Sequence, residues 1–145
     1  MGVAELLLKR KQELAAKNLK EGNEFRVNFA TQPNSILLEN GIAYQIIENG
    51  IGKTFPNIDS NVTCHYHGTT VANEVFDSSV ERGKPATFAV SKVIKGWQEV
   101  LPLMIVGSKW KVVIPSELAY GEEQLTKQIG PNSTLIFEIE LIQIL

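Results

Sequence analysis

Apolar and polar residues alternate through most of the chain after residue 40. An Asn40-Gly41 pair, typical of a tight hairpin turn, precedes the alternating residues 42–46. The same period of two recurs over residues 62–67 and 109–114. It is clearest near the end of the chain, at Leu135, Phe137, Ile139 and Leu141. A period of two indicates strands with one buried face, so these segments predict an antiparallel sheet.

Two segments have the longer apolar spacing of helices. Residues 3–32 contain no proline, and Pro33 ends this segment because proline disfavours a helical conformation in the residue before it. Gly22 weakens the prediction of one unbroken helix, at a cost of about 1 kcal/mol relative to alanine. The apolar positions that carry this spacing are Leu7, Leu14 and, less regularly, Leu19, Phe25 and Phe29. A second, short segment has Ile94, Trp97 and Leu101 at helical spacing before Pro102. Helices combined with antiparallel strands predict an α+β fold.

Composition and charge exclude several classes of protein. With 145 residues, 43% of them hydrophobic and 21% charged, the chain has the composition of one globular domain. A net charge of −2 argues against nucleic acid as the partner, because phosphate binding needs a clustered basic surface. Cys64 is the sole cysteine, which excludes an internal disulfide and a cysteine-based zinc cluster.

The apolar runs are too short to cross a membrane, which takes about 18 consecutive apolar residues. The first 17 residues, MGVAELLLKRKQELAAK, have a short apolar patch followed by charges and lack the pattern of a secretory signal. We therefore expect no membrane partner and a cytoplasmic location, with periplasmic export left open.

Candidate metal and nucleophilic residues are few. Strand alternation places His65 and His67 on one face and Cys64 on the other, so the three side chains do not converge on one ion. Cys64 shares the apolar face, where a buried thiol is usual. Glu138 and Glu140 point to the polar face of the last strand, which argues against a glycosidase pair. The glycines form no phosphate-binding loop. We expect no metal and no cofactor.

An aromatic set that contains one acid remains. It comprises Tyr66, Phe76, Asp77, Trp97, Tyr120 and Phe137. Simple core packing is the favoured explanation of the rings on periodicity alone. Two residues argue against core packing. Asp77 follows Phe76 at the end of an apolar run, and Tyr120 ends a loop-like segment. Both side chains have polar groups that would need hydrogen-bond partners if they were buried in a core.

These residues lie in motifs that resemble a known family. The strings VTCHYHG, VFDSS, VIKGW, ELAYG and IGPNSTLIFEIELI resemble, in order and spacing, FKBP-type peptidyl-prolyl cis-trans isomerases over about residues 40–145. The SKVIKGW form resembles the bacterial Mip-like branch, whose members have dimerising helices before the isomerase domain. The resemblance implies an antiparallel half-barrel of five or six strands wrapped around one short helix. It also implies two regions, a remnant dimerisation helix at residues 1–33 and an isomerase domain at residues 34–145.

The resemblance also implies the residues of the site. Trp97 is expected to form the floor under the proline ring, with hydrogen bonds from the Tyr120 hydroxyl and the Ile94 amide and with Asp77 as an orienting carboxylate. The residues expected to bind substrate are Tyr66, Phe76, Val93, Ile129, Phe137 and, as a support for the loop after Asp77, Arg82. The implied function is isomerisation of Xaa-Pro bonds in protein folding, and the alternative is a peptide-binding chaperone module with little turnover.

Two departures from the family concern substrate preference. Ala86 stands where many members have a large aromatic residue, which is expected to lower one wall of the pocket. The segment EEQLTKQ at residues 122–128 replaces a loop richer in glycine and proline. The expected partners are proline-containing polypeptides, macrolide inhibitors of the family and a second copy of the chain in a weak homodimer through the N-terminal helix.

Overall fold

The computed structural model describes residues 2–123 and 125–145. The helices are α1 (Val3–Ala30), α2 (Ser79–Arg82) and α3 (Lys95–Val100). The strands are β1 (Ser35–Leu37), β2 (Ala43–Glu48), β3 (Asn61–Thr70), β4 (Val75–Ser78), β5 (Ala86–Ala89), β6 (Lys109–Ile114) and β7 (Leu135–Ile144). Short 3-10 turns occupy Val90–Lys92, Leu101–Leu103 and Ser116–Leu118.

The strands form one antiparallel sheet in the order β1-β2-β6-β7-β3-β4. β5 pairs with the first half of β3, through Asn61 to Cys64, and β4 pairs with its second half, from His67 onward. The predicted α+β class and antiparallel sheet are confirmed. The sheet has seven strands where five or six were expected, because β3 has two short partners on one edge and β1 adds three residues at the other end.

α3 lies against one face of the sheet and fills the main core. Trp97 and Val100 of α3 are buried with Val112, Ile114 and the inward residues of β7. Gly96 permits this approach, since a Cβ there would lie 2.5 Å from Cγ2 of Ile114. This face carries the candidate site.

α1 packs on the opposite face of the sheet. Phe29 is buried in a second cluster with Ala43, Val113 and Ile136. Gly22 is buried in the helix where α1 meets the loop before β7, and a Cβ there would lie 2.2 Å from Oγ1 of Thr134. The helix therefore continues through Gly22, because close packing favours a glycine at this position despite its low helix propensity.

The first half of α1 extends beyond this contact. Asn18 Nδ2 donates to the Pro131 carbonyl at 2.9 Å and Arg26 Nη1 donates to the Gly41 carbonyl at 2.9 Å, which fastens the second half of the helix. Leu7, in the first half, is 57% exposed. None of the helices in the described ranges combines the length and hydropathy required to cross a membrane.

Candidate functional site

Trp97 lies at the bottom of a pocket on the α3 face of the sheet. Its ring is surrounded by Tyr66 at 5.2 Å between centroids, Phe137 at 5.2 Å and Phe88 at 5.4 Å. Tyr66 and Phe137 meet it nearly edge-on, at interplanar angles of 81° and 87°. Edge-to-face contacts are favourable between aromatic rings, so the cluster forms a firm apolar floor.

Phe76 extends the wall of this pocket from β4. Its ring is edge-on to Phe137 at 5.5 Å. Gly68 of β3 lies behind both rings, and a Cβ there would be 2.7 Å from Cζ of Phe76 and 2.9 Å from Cε1 of Phe137. Because Gly68 has no side chain, the rings of Phe76 and Phe137 can pack directly against the β3 backbone.

The resulting cavity has a volume of about 380 Å³, which is within the range of small-ligand sites. Its lining comes from β3, β4, β5, the turn before α3, α3 itself, the segment after β6 and β7. The lining residues are Tyr66, Phe76, Asp77, Ala86, Phe88, Lys92, Val93, Ile94, Trp97, Tyr120 and Phe137.

Asp77 contributes a carboxylate whose two oxygens are both engaged. The Tyr66 hydroxyl donates to Oδ2 at 2.8 Å, and Arg82 Nη1 donates to Oδ1. Arg82 Nη2 also donates to the Tyr66 hydroxyl at 2.9 Å, and its guanidinium carbon lies 5.6 Å from the centroid of the Tyr66 ring. The three side chains therefore form a closed hydrogen-bonded triangle that sets the direction of the carboxylate.

The pKa values of three ionisable side chains around Asp77 are all raised. Burial raises the pKa of Tyr66 above its usual value, and the hydrogen bond from Arg82 opposes the shift. Burial, followed by the charge of Asp77, raises the pKa of Tyr120. Hydrogen bonds to Tyr66 and Asp77 raise the pKa of Arg82. Both phenols thus stay protonated at neutral pH and keep a hydrogen to donate.

The turn before α3 supplies one rim of the pocket. Ile94 is the N-cap residue of α3, and its carbonyl accepts hydrogen bonds from the Trp97 and Gln98 amides, while its own amide lies outside the helical pattern. Gln98 Nε2 donates to the Val93 carbonyl at 2.8 Å and so holds this turn against α3. Lys92 adds an exposed cation to the rim.

Tyr120 reaches the opposite rim from the segment after β6. The amide of Gly121, whose φ of +60° favours glycine, donates to the Ser116 carbonyl at 2.8 Å. The Gly121 carbonyl accepts from the Asn132 amide at 2.7 Å. These bonds fix the backbone next to Tyr120, whose hydroxyl makes no hydrogen bond to other residues of the described chain.

The structure brings together all but two of the residues expected in the site. Arg82 lies outside the lining and acts on it through Asp77 and Tyr66. Ile129 is 2% exposed, packs in the main core and is not among the lining residues. The 122–128 loop contains Gln124, which lies outside the described residues.

Two lining residues were not expected from the sequence. Phe88 lies on β5, a strand of four residues that is too short for a clear alternation. Lys92 lies in the short turn that joins β5 to α3. Phe88 pairs with Val62 of β3, which faces the core, so the two side chains point to the same face of the sheet. This pairing is visible in the structure and not in the sequence.

The other candidate groups lie elsewhere. His65 and His67 bond through Nδ1 to Ser79 and Ser78, each at 2.9 Å. Within residues 2–123 and 125–145, no group of three or more His, Cys, Asp and Glu side chains is placed to hold a metal ion. Cys64 is buried in the core, and burial raises the pKa of its thiol to about 12, which disfavours the thiolate needed by a nucleophile.

A second depression of about 400 Å³ lies on the α1 face of the sheet. Its lining mixes apolar, hydroxyl and charged side chains, among them Phe25, His67, Lys111 and Glu138. It has slightly more volume than the aromatic pocket, but Phe25 is the one Phe, Tyr or Trp side chain in its lining, and the Asp77 triangle is on the other face. The aromatic pocket is therefore the candidate site.

Comparison with known proteins agrees with this pocket and fold. The sequence profile of the FKBP-type peptidyl-prolyl cis-trans isomerase family matches residues 52–142. The chain belongs to this family. The matched region of this FKBP-type chain contains every lining residue of the aromatic pocket.

Relatives of the FKBP-type chain extend the similarity into α1. The chain is 43% identical over 143 residues to a Legionella longbeachae protein named outer membrane protein MIP, covering 97% of this chain and 61% of that protein. Across the first curated relatives it spans only 52% to 61% of their length.

Two solved structures share the fold. The crystal structure of FkpA from Escherichia coli matches with a TM-score of 0.90 and 38% identity, covering 94% of this chain and 63% of that one. A peptidyl-prolyl cis-trans isomerase from Pseudomonas syringae matches with a TM-score of 0.82 and 34% identity, covering 90% of this chain and 95% of that one.

Proposed function

We propose that the protein is a peptidyl-prolyl cis-trans isomerase that acts on Xaa-Pro bonds of folding polypeptides. The observation that carries the proposal is the aromatic pocket, in which Trp97 forms the floor and the oriented Asp77 carboxylate lies beside it. A proline ring is a compact apolar group, and a cavity of about 380 Å³ has room for it and for parts of its neighbours.

The reaction is a rotation that breaks no bond. The barrier of about 18–20 kcal/mol arises from amide resonance, which the twisted transition state loses. The planar amide is more dipolar and better hydrated than the twisted one. A pocket that removes water therefore favours the twisted amide, and hydrogen bonds that fit only the twisted geometry add to this preference.

Asp77 acts in this mechanism as an oriented negative charge. Its oxygens already accept hydrogen bonds from Tyr66 and Arg82, so the carboxylate is held in one direction. We assign it the role of facing the carbonyl carbon of the substrate amide and not that of a general base. Preorganised charges of this kind stabilise a transition state without rearranging during the reaction.

Hydrogen bonds to the substrate backbone come from the two rims of the pocket. The Tyr120 hydroxyl makes no hydrogen bond to other described residues and is protonated at neutral pH, so it is available to donate. The Ile94 amide lies outside the helical hydrogen bonds of α3. Together they would hold the peptide on either side of the proline ring, with Val93, Phe76 and Phe137 as apolar contacts.

A protease-coupled assay with a Leu-Pro peptide tests the proposal. The rate of cis-to-trans conversion is expected to rise in proportion to the concentration of the protein. The alternative function is a peptide-binding chaperone module with little turnover, which would use the same apolar pocket to hold a peptide. Binding of the peptide with an unchanged rate of conversion would support this alternative.

We also propose a weak homodimer through α1. Phe25 and Phe29 of α1 pack toward the sheet, and Leu7 and Leu14 continue the same helical face beyond it. Leu7 is 57% exposed and Leu14 is 38% exposed. A second copy of α1 would cover this apolar face and leave the aromatic pocket, on the other side of the sheet, free for substrate.

Light scattering on two matched variants tests the dimer. Leu7→Glu adds one negative charge to the apolar face and is expected to give a monomer, whereas Ala16→Glu adds the same charge on the opposite face and should leave the dimer intact. A parent protein that is monomeric at high concentration would contradict the dimer.

The location and the division of the chain also stay proposals. The Legionella longbeachae relative is named an outer membrane protein, which favours the exported alternative over the cytoplasmic location expected from the first residues. Recovery of the protein from source cells by osmotic shock would support export. The division at residue 33 separates α1 from an isomerase domain at residues 34–145, although the Phe29 contacts show that α1 packs on that domain.

A further inference from the structure

Ser79 is a buried polar residue next to the site but outside its lining. It is 0% exposed and begins α2, two residues after Asp77. Its hydroxyl accepts a hydrogen bond from the Tyr66 amide at 2.7 Å and donates to the Tyr66 carbonyl at 3.2 Å. The Nδ1 atom of His65 lies 2.9 Å from the same oxygen. Because the hydroxyl has one hydrogen, all three contacts are satisfied when the proton of His65 is on Nδ1.

These contacts fill a gap in the sheet. β5 pairs with β3 as far as Cys64, and β4 pairs with β3 from His67 onward. Tyr66 lies between the two partners, where the chain leaves the sheet to form α2. A buried amide and carbonyl without partners would be costly, and the single hydroxyl of Ser79 satisfies both.

The same residue holds the start of α2. The Ser79 carbonyl accepts a hydrogen bond from the Lys84 amide at 3.2 Å, just beyond the end of the helix. Arg82, in the last position of α2, reaches back to Asp77 and to the Tyr66 hydroxyl. Tyr66 is thus held at its backbone by Ser79 and at its hydroxyl by Arg82.

We infer that Ser79 is a positioning residue for isomerisation, which fastens α2 to the Tyr66 backbone so that Tyr66 and Arg82 both reach Asp77. This role rests on the proposed isomerase function. Ser79 is buried outside the pocket lining and acts through the triangle of Tyr66, Asp77 and Arg82.

The neighbouring serine provides a matched control. Ser78 is also buried, but its hydroxyl accepts from the Glu81 amide at 3.2 Å and bonds His67 at 2.9 Å, so it caps α2 without touching Tyr66. A loss caused only by weakening α2 would appear in Ser78→Ala as well as in Ser79→Ala.

A double-mutant cycle on kcat/KM for the Leu-Pro peptide tests the inference. Ser79→Ala is expected to lower kcat/KM about tenfold in the parent and by less than about twofold in the Arg82→Ala variant, since Ser79 acts through Arg82. Ser78→Ala, which removes the cap of α2 without touching Tyr66, is expected to lower kcat/KM less than Ser79→Ala does in the parent. Equal losses from Ser79→Ala in both backgrounds, or a Ser79→Ala protein that does not fold, would overturn the positioning role.

Hydrogen exchange of the parent protein adds a measurement that needs no variant. The Tyr66 amide is expected to exchange slowly although neither β4 nor β5 pairs with it on this edge of β3, and fast exchange would overturn the inference. A parent that accelerates no isomerisation would refute the proposed function, and the positioning role with it. An active parent with additive losses would refute the positioning role alone.

Discussion

The Tyr66 hydroxyl donates a hydrogen bond of 2.8 Å to Oδ2 of Asp77, and this contact links the wall of the pocket to its charge. Tyr66 also lies edge-on to Trp97 at 5.2 Å. One side chain therefore contacts both the aromatic floor and the carboxylate. The site depends on this geometry more than on the reactivity of any single group.

Removing the carboxylate is expected to lower the rate with little effect on the fold. Asp77→Ala should reduce kcat/KM about tenfold to a hundredfold, because the transition state loses an oriented charge. The Asp77 and Arg82 side chains are 45% and 52% exposed, so the melting temperature should change little. Asp59→Ala, which removes an exposed carboxylate that is not part of the pocket lining, is the control and should keep the parent rate. An Asp77→Ala protein with the parent rate would contradict the role of the charge.

The Tyr120 hydroxyl is expected to matter for the rate and not for stability. Tyr120→Phe should lower kcat/KM about tenfold, since a hydrogen bond to the substrate is lost. The hydroxyl has no partner within the described chain, so chemical denaturation should give an unchanged free energy of unfolding. Tyr44→Phe is a suitable control, because Tyr44 stacks on Trp110 at 4.1 Å outside the pocket. Equal rates for Tyr120→Phe and the parent would show that this hydroxyl does not hold the substrate.

Fluorescence can locate the ligand by means of the two tryptophans. An FKBP-directed macrolide should change the emission of Trp97 because it covers the floor of the pocket. The change should persist in Trp110→Phe and disappear in Trp97→Phe. A signal that survives in Trp97→Phe would place the ligand elsewhere.

The buried thiol predicts a loss of stability at high pH. The pKa of Cys64 rises from 9.0 to about 12 in the folded protein, so the unfolded chain releases this proton first as the pH increases. The contribution of this thiol to the free energy of unfolding is fully present below pH 9. Above pH 9 it falls by up to about 1.4 kcal/mol per pH unit. The raised pKa values of Tyr66 and Tyr120 act in the same direction, above their ordinary value of 10.0.

Urea unfolding of the parent and of Cys64→Ala between pH 8 and pH 10 measures this effect. Cys64→Ala starts from a lower stability because it leaves a small cavity, but its free energy of unfolding should decline less steeply with pH. Parallel curves for the two proteins would contradict a buried, protonated thiol.

The long strands could be predicted from the sequence because their residues alternate between a buried and an open face. β3 and β7 each have ten residues, enough for a period of two to be clear. β1, β4 and β5 have three or four residues each, so alternation could not reveal them. Phe88 was missed for the same reason, although its ring lies 5.4 Å from Trp97.

The remaining differences between the sequence-based predictions and the structure arise from contacts between segments that are distant in the chain. Ile129 follows a loop, and only the packed structure shows that its side chain points into the core. The path of α1 could not be settled from its own apolar residues, because Phe29 packs on Ala43, Val113 and Ile136, which come from three different strands. The triangle of Tyr66, Asp77 and Arg82 likewise requires β3, β4 and α2 to meet.

Exchange spectroscopy by NMR on a Leu-Pro peptide tests the central proposal most directly, because it observes binding and turnover in the same sample. The uncatalysed cis and trans forms interconvert over tens to hundreds of seconds. With a small amount of the protein, exchange peaks between the two forms should appear at mixing times below about one second, and Asp77→Ala should weaken them. Peptide resonances that shift on binding while the cis and trans forms fail to exchange would contradict the isomerase and leave the peptide-binding module.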